Sequence, residues 1–477
     1  MKKVEIFLLL TILFVGLILR LYKIDRPIAD WHSWRQADTA AVARNFLKEG
    51  FNPFVPKYDD MSKHASGLDN PQRYRFVEFP ILNTLIAGVW SQTGINVTYA
   101  RLVIVFISLG SIVFLFLLVR YLSGLSVAAL SAFFFATIPY NVFYSSAILP
   151  GPLMVFGILG LYFCFVKWLE SGSWIFLAGS IFFANLAILS WPIALFFLLP
   201  LLYLSYEKYD FSLFKNLKLW IFVLLTLLPF IAWRIWMLRF SEGIPYLPFL
   251  LNQNNIRFKG AFFRWLVAER MGKLILTVGG FTLFVIGFVV KRSKKENFFY
   301  LTWLFSLILF FVIFAAGNVR HDYYQIPLIP IASIFMAIGT IKFFSLPSAL
   351  FSKFLGPIVA LMLIIFMYAF GFYEVRGYWW INRPEIVKAG MAADKILPKD
   401  ATVIAPYGGD AAFLYQTNRY GYPYFDRPLT EFVKNGTKYL VSVDVADEGI
   451  QKLAKNCKLL AAENDYLIIE LSENCIN

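Results

Sequence analysis

Long apolar blocks are the feature that most restricts how this chain can fold. A helix needs about 20 apolar residues to cross a bilayer. Blocks near that length cover residues 6–22, 102–121, 217–238, 274–290, 298–316 and 354–372, with shorter or proline-broken blocks between them. Of 477 residues, 59% are hydrophobic and 16% are charged, whereas a soluble domain carries about 25% charged residues. The pattern predicts a polytopic α-helical membrane protein.

Basic loops predict the orientation of this protein. The formal net charge is +14, and it is concentrated in short loops at 208–218 and 291–295, as expected on the cytoplasmic side of a membrane rather than for a nucleic-acid partner. The first apolar block is too long for a signal peptide and is expected to be a retained helix with a cytoplasmic N-terminus. An outer C-terminus then requires an odd number of crossings, so we expect 11 or 13 spans.

The chain changes character after residue 373. Stretches such as "KDATVIAP", "TKYLVSVD" and "DYLIIEL" have the pattern of short strands, separated by helical segments. They predict a small extracytoplasmic α/β domain at 374–477, beyond a transmembrane domain at 1–373. Cys457 and Cys475 lie in this outer domain, where a disulfide is chemically permitted. They flank two expected strands whose hairpin could bring them together, and we predict that they pair.

The first outer loop, residues 23–78, contains a predicted helix. Ser33 and Gln36 have the spacing of a capping box, and Gly50 supplies a stop, so a helix is expected over 33–49. Small and apolar residues on one face and polar residues elsewhere predict an interfacial helix that lies on the membrane surface. This helix holds Asp38 at the lipid–water boundary. The alternative is a solvated Asp38 paired with Arg35 or Arg44.

Other polar residues gather at the predicted outer ends of spans. Glu78 directly precedes the second span, and Arg320, His321 and Tyr324 lie in the later outer loop "NVRHDYYQIP". A carboxylate base takes a proton from a hydroxyl group, and nearby cations stabilise a leaving phosphate. These residues therefore predict a group-transfer site on the outer face.

The motifs "WRQADTAAVARN", "EFP" and "RHDYYQIPLIP" give the chain a resemblance to a known family. With its helical first outer loop, many spans and outer C-terminal domain, it resembles the C-type (GT-C) glycosyltransferases. Within them it is most similar to the branch of protein mannosyltransferases and aminoarabinose transferases. The resemblance implies that a sugar moves from a polyprenyl-phosphate donor to a lipid, glycan or protein acceptor outside a bacterial cytoplasmic membrane.

The resemblance also implies roles for individual residues. The catalytic acid falls on Asp38, with Asp30 as the fallback in the same loop. Glu78 and His321 occupy the places of two ligands for a divalent cation such as zinc or magnesium. The alternative is that Glu78 pairs with Arg73 or Arg75 and His321 with Asp322 or a backbone carbonyl. The candidates for contacting the donor phosphate are Arg35, Arg44, Arg320 and Tyr324.

Three positions depart from the family pattern. Thr39 stands where a second acid often follows the first-loop Asp, and Phe79 stands where a Lys often precedes the proline of the second motif. Gly151 replaces an acid in "ILPGPLMV". Because Phe79 stands in place of that Lys, arginines are expected to supply its contacts. The rival classes are a lipid or sugar transporter or flippase, which would place charges inside its spans, and a non-enzymatic scaffold.

Overall fold

The structure is a computed structural model that describes residues 2–345 and 354–476. It is mostly helical. The α-helices are α1 (Lys3–Arg20), α2 (Ser33–Lys48), α3 (Ile81–Thr93), α4 (Val97–Ser123), α5 (Leu125–Thr137), α6 (Pro139–Tyr144), α7 (Pro150–Ser171), α8 (Trp174–Ser190), α9 (Leu199–Tyr209), α10 (Leu217–Met237), α11 (Phe249–Asn252), α12 (Gly260–Phe263), α13 (Thr277–Val289), α14 (Lys294–Ile313), α15 (Ala315–Arg320), α16 (Leu328–Phe344), α17 (Leu355–Val375), α18 (Pro384–Ile396), α19 (Ala411–Gln416), α20 (Leu429–Lys434), α21 (Glu448–Asn456) and α22 (Glu473–Ile476).

The long apolar blocks form helices, which confirms the predicted class of polytopic α-helical membrane protein. Within the described ranges, the stretches that are long and apolar enough to cross a membrane are Val97–Ser123, Pro150–Ser171, Leu217–Met237, Lys294–Ile313 and Leu355–Ile396. Gly260–Ile275 and Thr277–Val289 would add one more as a broken span, bent by 111°. Helices α5, α8 and α16 are apolar but shorter. The expected count of 11 or 13 spans stays a prediction.

The chain divides into two compact units, and both are discontinuous in sequence. Unit 1 comprises Met1–Ile24, Leu102–Trp233 and Leu247–Gly377, and unit 2 comprises Asp25–Arg101, Arg234–Tyr246 and Tyr378–Asn477. Nearly all of the first outer loop therefore lies in the same unit as the C-terminal residues. The predicted domain ranges 1–373 and 374–477 stay a prediction.

Glycines allow two helices of unit 1 to cross at close range. A Cβ atom on Gly287 of α13 would lie 1.8 Å from the carbonyl oxygen of Phe335 in α16. A Cβ on Gly339 of α16 would lie 2.0 Å from the Leu283 carbonyl oxygen of α13. Any larger residue would push the two backbones apart. Small residues at such crossings are the usual way in which apolar helices pack closely.

The C-terminal residues of unit 2 form a five-stranded mixed sheet, which confirms the predicted small α/β domain. Its strands are β1 (Thr402–Ile404), β2 (Tyr420–Tyr422), β3 (Tyr439–Ser442), β4 (Lys458–Glu463) and β5 (Tyr466–Glu470), in the order β2-β1-β3-β5-β4. Strand β1 pairs in parallel with β2 and β3, whereas β5 pairs antiparallel with β3 and β4. Sequence patterns predicted β1 and β3, as well as β4 and β5 as the two strands between Cys457 and Cys475, and missed β2.

The predicted disulfide is present. Cys457 and Cys475 are joined by an S–S bond of 2.05 Å across a separation of 18 residues. Cys457 directly precedes β4, and Cys475 lies in α22, so the bond ties the end of the described chain to the last hairpin. Closing a loop of this length restricts the unfolded chain and contributes on the order of 3 kcal/mol.

Candidate active site

A polar pocket opens in unit 2, between the helix of the first outer loop and the segment before the next helix. Two carboxylates and two arginines face it together with apolar and amide groups. The residues that line it are Arg35, Asp38, Thr39, Val42, Pro56, Arg75, Val77, Glu78, Pro80 and Asn83. Three of the residues predicted for the site, Asp38, Arg35 and Glu78, are thus brought together here.

Helix α2 supplies one wall of this pocket. Its central residues include four alanines, the best helix formers, and Gly50 follows its end with a φ of +100°. The helix is buried nearly all round within the protein, and its expected place at the lipid–water boundary stays a prediction. The polar residues of α2 meet partners inside unit 2.

The predicted capping box of α2 is also wrong, although the helix begins where expected. Ser33 Oγ donates to Asp410 Oδ2 at 3.1 Å, and Gln36 Nε2 donates to Asp30 Oδ1 at 2.8 Å. The N-cap position is His32, with a φ of +54° and no side-chain capping bond. A distant partner, Asp410, therefore takes the Ser33 side chain, and Asp30, which precedes the helix, takes the Gln36 side chain.

Asp38 faces the pocket and is held by one arginine. Arg75 Nη2 donates to Asp38 Oδ2 at 2.7 Å, whereas Arg44, one of the two partners considered in the alternative, pairs with Asp59. Burial raises the pKa of Asp38 above its usual value, whereas the charges of Arg75 and Arg35 oppose that shift. A buried carboxylate with a raised pKa and one open side suits a general base.

Glu78 lies across the pocket from Asp38 and forms an ion pair with Arg35. The predicted pairing of Glu78 with Arg73 or Arg75 is therefore wrong, because Arg73 pairs with Glu49 at 2.8 Å. Pro80 occupies the N-cap position of α3, so this helix begins directly after the "EFP" motif. Asn83 in the first turn of α3 donates to the Thr39 carbonyl at 2.7 Å and fixes α3 against α2.

Asp30 is in a different environment from Asp38. Arg26 Nε lies 2.5 Å from its Oδ2, and Arg101 Nη2 lies 3.2 Å from its Oδ1. Gln36 also donates to Oδ1. The Asp30 side chain has no exposed area and does not line the pocket. These contacts describe a carboxylate that neutralises two buried arginines.

Arg44 does not line the pocket either. Its guanidinium pairs with Asp59, donates from Nη1 to the Tyr415 carbonyl at 3.0 Å and lies 4.2 Å from the centre of the Tyr415 ring. Arg44 was a candidate for the donor phosphate. It is instead enclosed by protein partners, with 4% of its surface exposed.

The remaining predicted residues lie close together in unit 1. His321 packs its ring against those of Tyr323 and Tyr324, with centroid distances of 5.5 Å and 5.7 Å. Arg320 donates from Nη2 to Gln253 Oε1 and lies 5.4 Å from the Phe249 ring centre. Tyr324 is buried. The "RHDYY" motif therefore forms an aromatic cluster with Arg320 at its side.

Sequence reasoning missed the residue that contacts Asp38 directly. Arg75 was considered only as a partner of Glu78, although "RYRFVE" places alternate arginines just before the second motif. In an extended segment, side chains alternate between two sides. Arg75 and Glu78 are three residues apart, so in an extended segment they point to opposite sides. Asn83 and Arg101 gave no comparable sequence signal.

The part of the chain that the structure describes contains no group of three or more His, Cys, Asp or Glu residues that could hold a metal ion. Glu78 already faces the cation of Arg35.

Comparison with known proteins gives a match in structure only. No protein-family model matches the chain, and no curated protein matches it in sequence. The fold is similar to that of ArnT from Cupriavidus metallidurans bound to undecaprenyl phosphate, with a TM-score of 0.67, 15% sequence identity and 98% of each chain covered.

A second match is the oligosaccharyltransferase of Archaeoglobus fulgidus. The apo form has a TM-score of 0.60 and 13% identity, and it covers 92% of this chain and 70% of that chain. A complex of the same enzyme with Zn and sulfate has a TM-score of 0.58 at 13% identity. Both matches confirm, at the level of the fold, the predicted resemblance to C-type glycosyltransferases.

Proposed function

We propose that this protein is a membrane glycosyltransferase that uses a polyprenyl-phosphate-linked sugar as donor. The acceptor is a hydroxyl group of a lipid, a glycan or a protein on the outer face of a bacterial cytoplasmic membrane. The fold supports this proposal over nearly the whole chain, because the ArnT structure that it matches binds undecaprenyl phosphate. The disulfide Cys457–Cys475 supports an outer location of the C-terminal domain, since disulfides persist in oxidising compartments.

The observation that carries the proposal is Asp38 in its pocket. The acceptor hydroxyl gives its proton to Asp38, and its oxygen forms a bond to the anomeric carbon of the sugar. The bond from that carbon to the phosphate oxygen breaks at the same time, and polyprenyl phosphate leaves with the bonding electrons. A single displacement of this kind inverts the anomeric centre.

Cations near the pocket offset the charge that develops on the leaving phosphate. Arg35 lines the pocket, and its partner Glu78 holds its guanidinium there. Preorganised cations of this kind stabilise a developing charge without reorganisation during the reaction. We assign Arg35 to the donor phosphate and keep Arg320 and Tyr324 as further candidates. Arg44 is withdrawn from this role because Asp59 and Tyr415 already bind it.

A transport assay and a transfer assay distinguish the proposal from its main alternative. Purified protein in lipid vesicles is incubated with a polyprenyl-phosphate sugar labelled in the sugar and with an envelope lipid fraction. We expect the label to move to the acceptor and free polyprenyl phosphate to accumulate, with both lost in Asp38→Asn. A transporter or flippase would leave the bond between sugar and phosphate intact.

The sugar and its stereochemistry define the finer activity. Donors that carry a hexose or a pentose on the same polyprenyl phosphate show which type the pocket accepts. Proton NMR of the product then reports the configuration of the new bond. We expect inversion, and retention would contradict direct attack by a hydroxyl group that Asp38 activates.

A divalent cation, zinc or magnesium, held by Glu78 and His321 is a separate proposal. Its support is that the oligosaccharyltransferase with a similar fold is known in complex with Zn and sulfate. Imidazole and carboxylate suit such ions, which would offset phosphate charge. Metal analysis of the purified protein tests it: the proposal expects bound metal that Glu78→Gln and His321→Ala both remove. Metal-free wild-type protein would refute it.

A further inference from the structure

Buried polar contacts attach the helix that carries Asp38 to the C-terminal residues. Arg44 follows Asp38 on α2, and its Nη1 donates to the carbonyl of Tyr415 at 3.0 Å. Its Nη2 pairs with Asp59 in the first outer loop. The guanidinium also lies over the Tyr415 ring. Arg44 therefore binds a loop carboxylate and a C-terminal carbonyl at once.

Asp59 belongs to an extended loop segment, residues 56–61, which we call the coupling segment. Asn45, the neighbour of Arg44 on α2, donates from Nδ2 to Asp59 Oδ1 at 3.2 Å. The same nitrogen lies 3.2 Å from the Lys57 carbonyl oxygen and 3.1 Å from that of Tyr58. Arg44 and Asn45 thus hold the coupling segment against α2.

One edge of the coupling segment extends the C-terminal sheet. Gly421 of β2 donates from its backbone N–H to the Asp59 carbonyl at 3.0 Å, and Met61 donates to the Gly421 carbonyl at 2.8 Å. Asp60 and Gly421 form a parallel bridge. A Cβ atom on Gly421 would lie 1.8 Å from the carbonyl oxygen of Val403. Only glycine fits between β1 and the coupling segment.

The other edge of the coupling segment sets the position of Arg75. Tyr58 N donates to the Arg73 carbonyl and Arg75 N donates to the Pro56 carbonyl, both at 2.9 Å. Lys57 and Tyr74 form an antiparallel bridge. The guanidinium of Arg75 lies 5.1 Å from the ring centre of Tyr58 and reaches Asp38 at 2.7 Å. Hydrogen bonds therefore run without a gap from the C-terminal sheet to the pocket.

We propose that Arg44 and Asp59 are positioning residues, which hold the coupling segment so that Arg75 meets Asp38 in the geometry that the reaction needs. The C-terminal residues are then part of the catalytic apparatus although none of them lines the pocket. This inference rests on the proposed function, because the position of Arg75 affects a reaction only if Asp38 is its base.

The pH–rate profile distinguishes the positioning role of Asp59 from a direct effect of its charge on Asp38. The negative charge of Asp59 raises the pKa of Asp38, whereas the positive charge of Arg75 lowers it. Removing the Asp59 charge alone would shift the acidic limb of the pH–rate profile to lower pH. Loosening Arg75 removes a stabilising cation from the Asp38 carboxylate and shifts the same limb to higher pH. The direction of the shift therefore reports the mechanism.

The test compares two matched substitutions in the full-length protein. Asp59→Asn takes a carboxylate from Arg44, and Glu5→Gln takes one from Arg120; the acid side chain is 6% exposed in both pairs. Glu5 and Arg120 lie in unit 1, whereas the coupling segment and the pocket-lining residues lie in unit 2. Both variants are assayed for transfer across pH, and their backbone amides are followed by hydrogen exchange.

For Asp59→Asn we expect kcat to fall by about tenfold or more, since small misplacements at a reacting centre are costly. We expect KM for the donor to change by less than about threefold, as for a change that spares ground-state binding. The acidic limb should move to higher pH, and amides of residues 56–61 and 73–75 should exchange faster. Glu5→Gln should leave all four measurements unchanged.

Unchanged kcat, a limb that moves to lower pH, or unchanged exchange at 73–75 would overturn the inference. If Asp59→Asn does not fold, the charge-neutral variant Arg44→Gln/Asp59→Asn replaces it with the same expectations. Absence of sugar transfer by the wild type would refute the proposed function instead. In that case hydrogen exchange still decides whether Arg44 and Asp59 hold the segment that carries Arg75.

Discussion

Asp30 lies just before α2 and Asp38 lies within it. Both acids are buried, yet their surroundings differ. Asp30 contacts Arg26, Arg101 and Gln36 and has no exposed side-chain area. Asp38 has one arginine partner, Arg75, and faces a pocket. Burial of an acid therefore does not by itself indicate catalysis. A fully paired carboxylate stabilises the fold, whereas a partly paired one next to open space is available to a substrate.

The substitution Asp38→Asn tests most directly whether Asp38, and not Asp30, is the base. The amide keeps the shape of the side chain but cannot accept the acceptor's proton, so kcat should fall by about 10²–10⁴-fold. The apparent melting temperature should stay close to that of the wild type, because Asn still accepts a hydrogen bond from Arg75. Near-normal transfer by the purified variant would remove Asp38 from the mechanism.

Asp30→Asn should show the opposite behaviour. The substitution leaves Arg26 and Arg101 buried with their charges uncompensated, which costs about 3–5 kcal/mol in comparable buried pairs. We expect a large drop in melting temperature and in the yield of folded protein, with kcat per folded molecule reduced much less than in Asp38→Asn. A stable but inactive Asp30→Asn protein would instead make Asp30 the base.

The pH dependence of transfer sharpens the comparison further. Burial raises the pKa of Asp38 above its usual value, and only the carboxylate form accepts a proton. The rate should therefore begin to fall at a pH above the ordinary Asp pKa of about 3.9, and should drop about tenfold for each further pH unit. Single-turnover rates across pH measure this limb. A rate that stays constant down to about pH 4 would contradict a raised pKa.

Asp60 is a third buried acid and should give the smallest effect. Burial raises its pKa to about 7, and its Oδ1 accepts a hydrogen bond from Ser62 N at 2.7 Å. A raised carboxyl pKa contributes stability below the unfolded value of about 3.9, and this contribution is lost as the pH rises through 7. Asp60→Asn keeps the bond from Ser62 without the charge.

We therefore expect Asp60→Asn to raise the stability at pH 8 by about 1–3 kcal/mol relative to the wild type, and to change it little at pH 4. Melting temperatures of both proteins in the same detergent at both pH values measure the difference. Ser62→Ala is an independent check, because the Ser62 side chain lowers the pKa of Asp60 and its loss should reduce the stability more at pH 8 than at pH 4. A larger gain at pH 4 than at pH 8 would reverse the sign of the expected linkage.

Local patterns in the sequence predicted much of the fold. Apolar blocks predicted most of the long helices, Gly50 predicted the end of α2, and local strand patterns predicted four of the five strands. These features depend on neighbours in the chain, so the sequence displays them directly. The capping box at Ser33 and Gln36 failed for the opposite reason. Ser33 bonds to Asp410, 377 residues further along the chain, and local spacing carries no information about such a partner.

The same limit applies to the site. The motif "WRQADTAAVARN" located Asp38 and Arg35, and "EFP" located Glu78. The pairing of arginines with acids could not be predicted, because Arg75, Arg35 and Arg44 compete for Asp38, Glu78 and Asp59 within one loop. Which pairs form depends on how the coupling segment lies against α2 and β2. That arrangement exists only after the C-terminal sheet has formed.

The attachment of α2 to the C-terminal residues has a consequence for biosynthesis. Arg44 and the Tyr415 carbonyl that it binds are 371 residues apart in the chain. At about 5–20 residues per second, the ribosome needs roughly 20–75 s to make the second partner after the first. During that interval the first outer loop lacks its β2 neighbour. A premature stop codon shortly after residue 377 would therefore yield a helical membrane protein whose active-site loop never matures, and such a product is a natural substrate for membrane quality-control proteases.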